Sequence, residues 1–393
     1  MVAEEEDWSL AFLNGCRFWF PFVFVPVIVI IGIIGNVITI IVLTRKRMKS
    51  STNSYLTALA SSDLLFLVFN MILSLEHYRG MKHLDCITYW QIWRFSIWLA
   101  DVTGGISVWL TVSFTLERYI AVCYPLKGKI ICTESRARKV ITVIVILVPL
   151  ITITTPFEYT VELQIDERTN TTQGIDTSEL GKNETYKTLF YTTSSILFMI
   201  IPFIILTIFN SLLITAVQQS QKHRNKLTED YRGVSGSIRS KSNKRSSVVN
   251  MNNKTKLEMP KTVVTQRGLQ REKQENKITM ALASVVCMFL VCQAPSAITL
   301  IVKLMYSPPK HSTGDNFLRG LGSIFNFLPL FNAACNFMLY CAMSDKYRQT
   351  LCMIFCLSRK YRHSRDNTFS STASFRASTN AHTLFNAAEL QDV

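Results

Sequence analysis

Charged residues are scarce in this chain and are gathered into a few segments. Of the 393 residues, 18% are charged and 48% are hydrophobic, and the mean hydropathy is positive, at +0.21. Long runs that are almost free of charge exclude an ordinary soluble protein of two or three domains and indicate a chain solvated by a bilayer. The net charge of +15 is then better explained by basic cytoplasmic loops than by a nucleic-acid partner.

The sequence also lacks the residue patterns of enzymes. It contains no His/Cys cluster with metal-ligand spacing, no glycine-rich loop for phosphate and no Ser/His/Asp arrangement with supporting context. We therefore expect neither an enzyme nor a resident cofactor. The chain begins Met-Val-Ala-Glu-Glu-Glu-Asp, which is acidic where a cleavable signal peptide is basic, so the first apolar span is expected to direct insertion.

The sequence does contain seven apolar stretches, most of them at least as long as the roughly 20 residues that a helix needs to cross a bilayer. They occupy residues 18–44, 54–75, 92–122, 140–156, 189–217, 278–304 and 321–343. We predict an all-α membrane protein in which these helices form a seven-transmembrane bundle over residues 18–343. Seven spans place the two ends of the chain on opposite sides of the membrane.

The distribution of charge predicts the orientation. The links after the first, third and fifth spans are basic, whereas residues 1–17 and the link after the fourth span are acidic. Because cytoplasmic loops collect Lys and Arg, we expect an extracellular N-terminus at the plasma membrane and a cytoplasmic C-terminus. Glycosylation sequons at Asn170 and Asn183 fall in a link predicted to lie outside, although a third, at Asn253, falls in a link predicted to lie inside.

Three polar segments are predicted on the cytoplasmic side. Residues 218–277, rich in Ser, Asn, Lys and Arg, are predicted to be a disordered third cytoplasmic loop, and residues 357–393 form a similar tail. Residues 344–356 are typical of a short amphipathic eighth helix on the inner leaflet, where Cys352 and Cys356 are either palmitoylated or unmodified. Phosphates on the Ser/Thr cluster of the tail would attract an arrestin, although any Ser-rich tail would look similar.

Asp63 is the only charged residue of the second span. A charge at membrane depth costs at least a few kcal/mol, so it is a functional candidate by default. One alternative is a protonated carboxyl group tied to a neighbouring helix. The other is a carboxylate at the centre of a polar pocket completed by Ser107, Asn332 and Asn336. Oxygen ligands around one carboxylate would suit a small monovalent cation such as sodium, together with water.

Glu117-Arg118-Tyr119 closes the third span at its cytoplasmic end. Arg118 could simply reach back to lipid headgroups, as interfacial arginines do. Alternatively, it is a fixed cation that exchanges a carboxylate for an outside partner. Glu275, just before the sixth span, is a candidate for a second carboxylate, and breaking an Arg118–Glu275 contact would free the guanidinium as the inner face opens.

Motifs in register with the seven spans resemble those of rhodopsin-like G-protein-coupled receptors. They are Gly35-Asn36, residues 59–63 (Leu-Ala-Ser-Ser-Asp), Glu117-Arg118-Tyr119 with the residues through Leu126, Pro202, Phe289 with residues 292–295 (Cys-Gln-Ala-Pro), and residues 336–340 (Asn-Phe-Met-Leu-Tyr). The resemblance covers residues 18–356. It implies a ligand pocket that opens between the helices to the outside, and a heterotrimeric G protein as the partner inside.

The resemblance also implies how a signal would cross the bundle. Closure around Phe289 and Gln293 would swing the inner end of the sixth helix, where Pro295 allows a bend. Arg118 and Tyr340 would then meet the C-terminal helix of the G protein.

The sequence departs from the family at three motif positions. Gln293 stands where the family usually has Trp, Phe337 where it usually has Pro, and Asn210 where Tyr is common. With residues 156–159 (Pro-Phe-Glu-Tyr) after the fourth span, this combination resembles the FMRFamide-receptor-like branch of invertebrate peptide receptors. The resemblance therefore implies a secreted peptide, such as an amidated neuropeptide, as the ligand.

The cysteine bridge that this family usually builds from the third helix to the link after the fourth is excluded here. Trp93 stands at the usual position in the third span, and no cysteine lies between Cys132 and Cys287. Cys16 and Cys86 are the only cysteines assigned outside. Either they pair and join the N-terminus to the first outer link, or both are free thiols.

The outer face of the predicted bundle combines carboxylates with aromatic side chains. The candidate ligand contacts are Trp98, Asp101, Phe157, Glu158 and Tyr159. Acidic pockets attract cations, and an Arg-Phe-amide peptide would place its guanidinium on a carboxylate and its ring among aromatics. A monoamine is disfavoured because Ala100 stands where the aminergic branch carries Asp. The alternative, above all from Glu162 onward, is an ordinary solvated acidic loop.

Two other kinds of membrane protein compete with this interpretation. A seven-span ion-coupled transporter would also use a buried Asp63, but neither inverted repeats nor interrupted helices are detected. A light-sensing opsin needs a Schiff-base Lys in the seventh span, and residues 321–343 contain none. Ligand-stimulated GTP exchange without substrate accumulation would separate a receptor from a transporter.

Overall fold

A computed structural model gives the fold of the chain. It describes residues 8–78, 81, 87–161, 164–166, 171–173, 175–242, 283–284, 286–295, 298–299, 302, 308–309, 312–343 and 345–355.

The first rod runs without a break from Trp8 to Leu43. It consists of helix α1 (Trp8–Trp19), a π-helical turn (Phe20–Phe24) and helix α2 (Val25–Leu43). Pro21 lies in the π-helical turn, whose different hydrogen-bond pattern accommodates the missing N–H of a proline. The first span was predicted to begin at residue 18, but its helix begins at Trp8. The additional turns are stabilised because aromatic side chains of α1 pack against the seventh span.

The next three spans are helices α3 (Ser51–Ser74), α4 (Ile87–Cys123) and α6 (Glu134–Ile151). Helix α3 begins at Ser51 because the Ser50 side chain accepts a hydrogen bond of 3.1 Å from the Asn53 N–H, which satisfies an otherwise unpaired donor. The short helix α5 (Pro125–Ile131) links α4 to α6.

Short antiparallel pairings shape the link after the fourth span. After a 3₁₀ turn (Thr155–Glu158), strand β1 (Tyr159–Thr160) pairs with β4 (Asp176–Thr177), and β2 (Gln164–Asp166) pairs with β3 (Thr171–Gln173). Helix α7 (Glu179–Lys182) then leads into the fifth span.

The fifth span is built from helix α8 (Glu184–Ser195), a π-helical turn (Ile196–Ile200) and helix α9 (Ile201–Ser242). Helix α9 continues through residues 218–242, where the sequence predicted disorder. Strong helix formers such as Gln, Lys, Arg and Leu fill much of this stretch, and it contains no proline. Residues 243–277 of the predicted loop lie outside the described residues.

Three further helices are given for the described residues beyond Ser242, namely α10 (Val286–Pro295), α11 (Thr313–Met343) and α12 (Asp345–Phe355). Six of the described helices or helical rods are long and apolar enough to cross a membrane, and α10 is a shorter apolar helix within the predicted sixth span. Helix α12 belongs to a separate unit that begins at Asp345. It coincides with the predicted eighth helix, whose position on the inner leaflet stays a prediction.

Helix α4 lies at the centre of the bundle, where it packs against α3, α6 and α9. Two apolar clusters flank it. One joins α2, α3 and α11 through Val25, Val29, Leu67, Leu330, Ala333 and Ala334. The other joins α4, α9 and α10 through Val108, Val112, Leu206, Val286 and Phe289.

Candidate functional site

A polar centre lies where α3, α4 and α11 meet. Asp63 on α3 is only 1% exposed, and both of its carboxylate oxygens accept hydrogen bonds. The Ser107 hydroxyl on α4 donates to Oδ1 over 2.7 Å, and the Asn336 amide on α11 donates to Oδ2 over 2.6 Å. The structure thus brings together three of the four residues predicted for this pocket, and the fourth, Asn332, lies one helical turn before Asn336.

The side-chain oxygens of two asparagines make this centre suitable for a cation. Asn332 and Asn336 are both buried, and their Oδ1 atoms have no hydrogen-bond partner among the described residues. Buried acceptors are normally satisfied, so these oxygens point to an ion or a water. The donor set is one carboxylate with amide and hydroxyl oxygens, which suits a hard cation. Occupancy by sodium stays a prediction.

Close packing of α2 on α11 borders the polar centre. The Asn36 amide on α2 donates to the Ala333 carbonyl over 3.1 Å. One residue earlier, Gly35 faces the Phe337 ring so closely that an added Cβ would lie 2.5 Å from Cγ and 2.6 Å from Cε1. Phe337, which replaces the proline usual in the family, therefore occupies a notch that only glycine leaves open.

A charged pair marks the cytoplasmic end of α4. Glu117 is buried, and its Oε1 accepts hydrogen bonds from Arg118 Nη2 (2.8 Å) and from the Ser51 hydroxyl on α3 (2.7 Å). The Arg118 side chain is only 16% exposed, so it is held in the bundle rather than extended to the headgroups. The Tyr119 ring packs against Phe209 on α9.

The proposed second carboxylate of this switch cannot be compared with the structure. Glu275 lies outside the described residues. Tyr340 lies in α11, and its side chain is not described. Their roles stay predictions.

The predicted activation core lies between α4, α9 and α10. Phe289 and Pro202 are buried, and Phe289 belongs to the cluster that joins these three helices. Gln293 and Pro295, further along α10, are partly buried. Asn210, which stands where the family often has Tyr, donates to the Ala283 carbonyl over 3.3 Å.

The outer end of the bundle contains the predicted ligand contacts in two different settings. Asp101 has a solvent-accessible residue surface, but protein atoms crowd its carboxylate, which also lies within electrostatic range of Glu158. Glu158 is only 2% exposed. The Tyr186 hydroxyl donates to its Oε1 over 2.8 Å, and the Tyr191 hydroxyl donates to its Oε2 over 2.5 Å. Glu158 is therefore not the accessible carboxylate that the sequence suggested.

The three aromatic residues predicted to contact the ligand differ in their exposure and in their contacts. The Trp98 indole donates to Thr152 over 3.1 Å, and the Phe157 side chain is 64% exposed. Tyr159 packs edge-on against Trp93, with 5.8 Å between ring centroids. Burial, and next the charge of Glu158, raise the pKa of Tyr159. The hydroxyl of Tyr159 therefore stays neutral at physiological pH.

The model of the family "7 transmembrane receptor (rhodopsin family)" matches residues 35–340. The chain belongs to this family. The prediction made from its motifs is confirmed, as is the seven-helix fold, and the family is one of multi-pass plasma-membrane receptors rather than of enzymes or transporters.

Individual relatives of the receptor include peptide receptors. The FMRFamide receptor of Drosophila melanogaster is 28% identical over 361 residues, which are 90% of this chain and 56% of that receptor. The sex peptide receptor of the same fly is 25% identical over 343 residues, 84% of this chain and 71% of that receptor. The thyrotropin-releasing hormone receptor of Gallus gallus is 39% identical over 118 residues, 28% of each chain. The receptor thus spans little more than half the length of the Drosophila FMRFamide receptor.

The predicted modification sites of the receptor are only partly described. Asn183 is exposed and caps α8 with its Oδ1, which leaves its Nδ2 available to a glycan. Cys16 is buried on α1, and Cys352 is exposed on α12. Asn170, Cys86 and Cys356 lie outside the described residues, so both glycosylation sites, the Cys16–Cys86 pairing and palmitoylation stay predictions.

Three contributors to these sites were missed from the sequence. Ser51 binds Glu117, and Tyr186 and Tyr191 bind Glu158. Nothing in the sequence singles out Ser51 among the Ser and Thr residues around it. The two tyrosines, in contrast, lie at the outer end of a span, where aromatic residues with polar tips concentrate and find hydrogen-bond partners.

Proposed function

We propose that this chain is a receptor for a secreted peptide, most simply an amidated neuropeptide, and that the occupied receptor activates a heterotrimeric G protein. Its N-terminus is extracellular and its C-terminus cytoplasmic. Two relatives named for peptide ligands, the FMRFamide receptor and the sex peptide receptor, support a peptide as the ligand. Membership of the rhodopsin family supports a G protein as the partner.

The observation that carries the proposal is the Glu117–Arg118 pair. Glu117 binds both Arg118 and Ser51, so the guanidinium is held on a carboxylate that is itself anchored to α3. Arg118 Nε is buried and has no hydrogen-bond partner in the described part of the chain. A cation restrained in this way is suited to exchange Glu117 for acceptors on an incoming helix once the inner face opens.

The polar centre around Asp63 supports the same mechanism. It joins α3, α4 and α11, and any relative movement of these helices must change the hydrogen bonds to Ser107 and Asn336. A sodium ion with water among Asp63, Ser107, Asn332 and Asn336 would stabilise one arrangement of the helices over another.

At the outer end, Asp101 is the carboxylate best suited to meet a cationic ligand group. Its residue surface is solvent-accessible, it lies near the buried charge of Glu158, and no described lysine or arginine lies within ion-pair distance of either residue. An arginine side chain of a peptide would neutralise this pair. Aromatic contacts to the same peptide would come from Trp98, Phe157 and Tyr159.

The test uses the full chain with an epitope tag at its N-terminus. Intact cells are stained for the tag, and membranes are assayed for nucleotide exchange with Phe-Met-Arg-Phe-amide and a set of other amidated peptides. We expect surface staining without permeabilisation and stimulated exchange by at least one peptide. Arg118→Ala should abolish the stimulation at equal surface density.

The matched control is Arg138→Ala. Arg138 is an exposed arginine on α6 whose ion pair with Glu134 lies on the surface, so its loss should leave stimulated exchange unchanged. Stimulated exchange that persists in Arg118→Ala would remove Arg118 from the mechanism. A tag that is accessible only after permeabilisation would invert the orientation.

The cytoplasmic segments would serve this receptor after activation. Phosphates on the Ser/Thr cluster of the tail would recruit an arrestin. Palmitate on Cys352 and Cys356 would attach the segment to membrane lipid.

A further inference from the structure

We infer that Glu158 is a positioning residue that clamps the link after the fourth span and the outer end of the fifth span onto the bundle. The clamp consists of Glu158, Tyr186 and Tyr191, supported by the contact of Trp93 with Tyr159. It supplies, without a covalent bond, the restraint that a cysteine bridge would otherwise provide. The inference does not depend on which ligand the receptor binds.

The need for such a restraint follows from the sequence. No cysteine lies between Cys132 and Cys287, so no disulfide can hold residues 152–195. A connection of this length between two spans is costly to order if nothing anchors it. In the structure, the Trp93 ring on α4 instead packs against Tyr159 of the link at an interplanar angle of 89°, an edge-to-face contact.

The Glu158 side chain joins the fourth span to the fifth. Its two oxygens accept hydrogen bonds from Tyr186 and Tyr191, which lie five residues apart on α8. The Tyr186 hydroxyl also lies 2.8 Å from the Thr154 hydroxyl, so the same tyrosine contacts the residue before the 3₁₀ turn and the last residue of that turn. Because Glu158 is buried, water cannot replace these donors without opening the link.

The main chain at Glu158 holds the far end of the link. The Ser178 N–H donates to the Glu158 carbonyl over 2.9 Å, and the Ser178 hydroxyl donates to the Phe157 carbonyl over 2.6 Å. Gly181 approaches the Glu158 carbonyl so closely that a Cβ there would collide with it. Two stretches at least 20 residues apart in sequence therefore meet around Glu158.

A ligand contact is the competing role for Glu158. A carboxylate that waits for a ligand cation should have an accessible oxygen, whereas both oxygens here are buried and bound to protein donors. The two roles also differ in what they require. A ligand contact needs the negative charge, whereas a clamp needs hydrogen-bonding atoms in the right place and tolerates an amide.

The test measures hydrogen–deuterium exchange of the purified full-length receptor in nanodiscs, without any ligand. In Glu158→Ala, exchange of the amides of residues 175–191 should rise about tenfold, because the Tyr186 and Tyr191 hydroxyls lose the carboxylate that ties α8 to the link. In Glu158→Gln, which keeps one acceptor and adds one donor, the rise should be much smaller. Exchange in helix α5 (Pro125–Ile131) should stay unchanged in both variants.

Two further variants separate loss of the clamp from a general loss of stability. Glu184→Ala removes a glutamate that is 84% exposed on the same helix and whose ion pair with Lys187 lies on the surface, so exchange should stay near the wild-type level. Tyr191→Phe removes a single hydroxyl and should loosen the link even if Glu158→Ala fails to fold. Equal exchange in the wild type and in Tyr191→Phe, or a uniform rise in all helices of Glu158→Ala, would overturn the clamp.

A covalent replacement provides the final check. Trp93→Cys with Tyr159→Cys, bridged by a short bifunctional thiol reagent, should return exchange of residues 175–191 in Glu158→Ala to near the wild-type level. Failure of the bridge to form would refute the Trp93–Tyr159 contact. A bridge that forms without slowing exchange would refute its role as a restraint.

Discussion

Replacing Gly35 with alanine tests the packing of the first helix on the seventh. The substitution adds one methyl group at a position where the Phe337 ring already fills the available space. The added Cβ would lie 2.5 Å from Cγ and 2.6 Å from Cε1 of that ring. Carbon atoms pack at about 3.5–4.0 Å, so α2 and α11 must separate locally by roughly 1 Å, or the ring must leave its rotamer.

The expected loss of stability follows from this overlap. Overpacking of a dense interior typically costs about 1–3 kcal/mol. The cost should fall at the upper end of that range, because the neighbouring Asn36–Ala333 hydrogen bond of 3.1 Å would be stretched by the same separation. Phe337 is one residue from Asn336, so movement of the ring would also disturb the hydrogen bond of 2.6 Å to Asp63.

The assay is thermal unfolding of the purified receptor, followed with a thiol-reactive dye and compared with two glycine controls. Gly15 on α1 and Gly322 on α11 have no heavy atom within 4 Å of an added Cβ. Alanine at either position should be neutral or should stabilise by about 0.5–1 kcal/mol, because glycine is a poor helix former. The sign of the shift in Tm is therefore expected to differ between Gly35→Ala and its controls.

A second substitution sharpens the test. Phe337→Leu shortens the ring side chain and should cost stability by itself, but it should also relieve the clash in Gly35→Ala. The double variant should be more stable than the sum of the two single effects, with a coupling of about 1–2 kcal/mol. Strict additivity, or a Gly35→Ala variant as stable as Gly15→Ala, would refute the close contact.

Three other substitutions probe the remaining sites. Ser51→Ala removes one donor to Glu117 and should weaken the resting arrangement by about 1 kcal/mol, so basal GTPγS binding should rise roughly fivefold; unchanged basal binding would contradict this. Asp63→Asn keeps an acceptor for Ser107 but removes the charge, and it should abolish any difference between sodium and choline chloride in peptide-stimulated exchange; a persisting sodium effect would place the ion elsewhere. Cys352→Ser should lower labelling by an alkyne palmitate analogue, and equal labelling would exclude this thiol.

The spans could be predicted because a helix that crosses the hydrocarbon core of a membrane must be apolar over roughly 20 residues. Helix α3, predicted over 54–75 and observed at Ser51–Ser74, agrees to within a few residues. The first helix agrees less well, because its outer turns include Arg17 and are held by packing rather than by lipid. There, the ring centroids of Phe12 and Phe317 lie 5.6 Å apart, and the Asn316 amide donates a hydrogen bond to the Ser9 hydroxyl. Apolarity alone cannot report contacts of that kind.

The polar centre was predictable for a related reason. A buried carboxylate needs hydrogen-bond donors, so amide and hydroxyl side chains of neighbouring spans were the candidates for partners of Asp63, and Ser107 and Asn336 were among them. The partners of Glu158 were not predictable in this way. Its contacts with Tyr186 and Tyr191 depend on how a link of irregular structure folds back onto α8. The charge of Glu158 is evident from the sequence, but its burial is not.

Helix α4 connects the outer and inner sites of the receptor. Over its 37 residues it carries Trp93 near one end, Ser107 in the middle and Glu117 near the other. With a rise of 1.5 Å per residue, Trp93 and Glu117 lie roughly 36 Å apart along the helix. A helix of this length can move as one rigid body. Ligand binding at the outer end therefore affects the inner end only if the ligand makes contacts that differ between the two arrangements of the bundle.

The proposed clamp bears directly on this coupling. If the link after the fourth span were loose, a peptide could gain all its contacts by moving the link alone, with no change at Ser107 or Glu117. A link tied to α8 through Glu158 and to α4 through Trp93 cannot move without those helices. Loss of the clamp should therefore lower the maximal response to a peptide more than it lowers the affinity. The restraint belongs to the signalling path as well as to the fold.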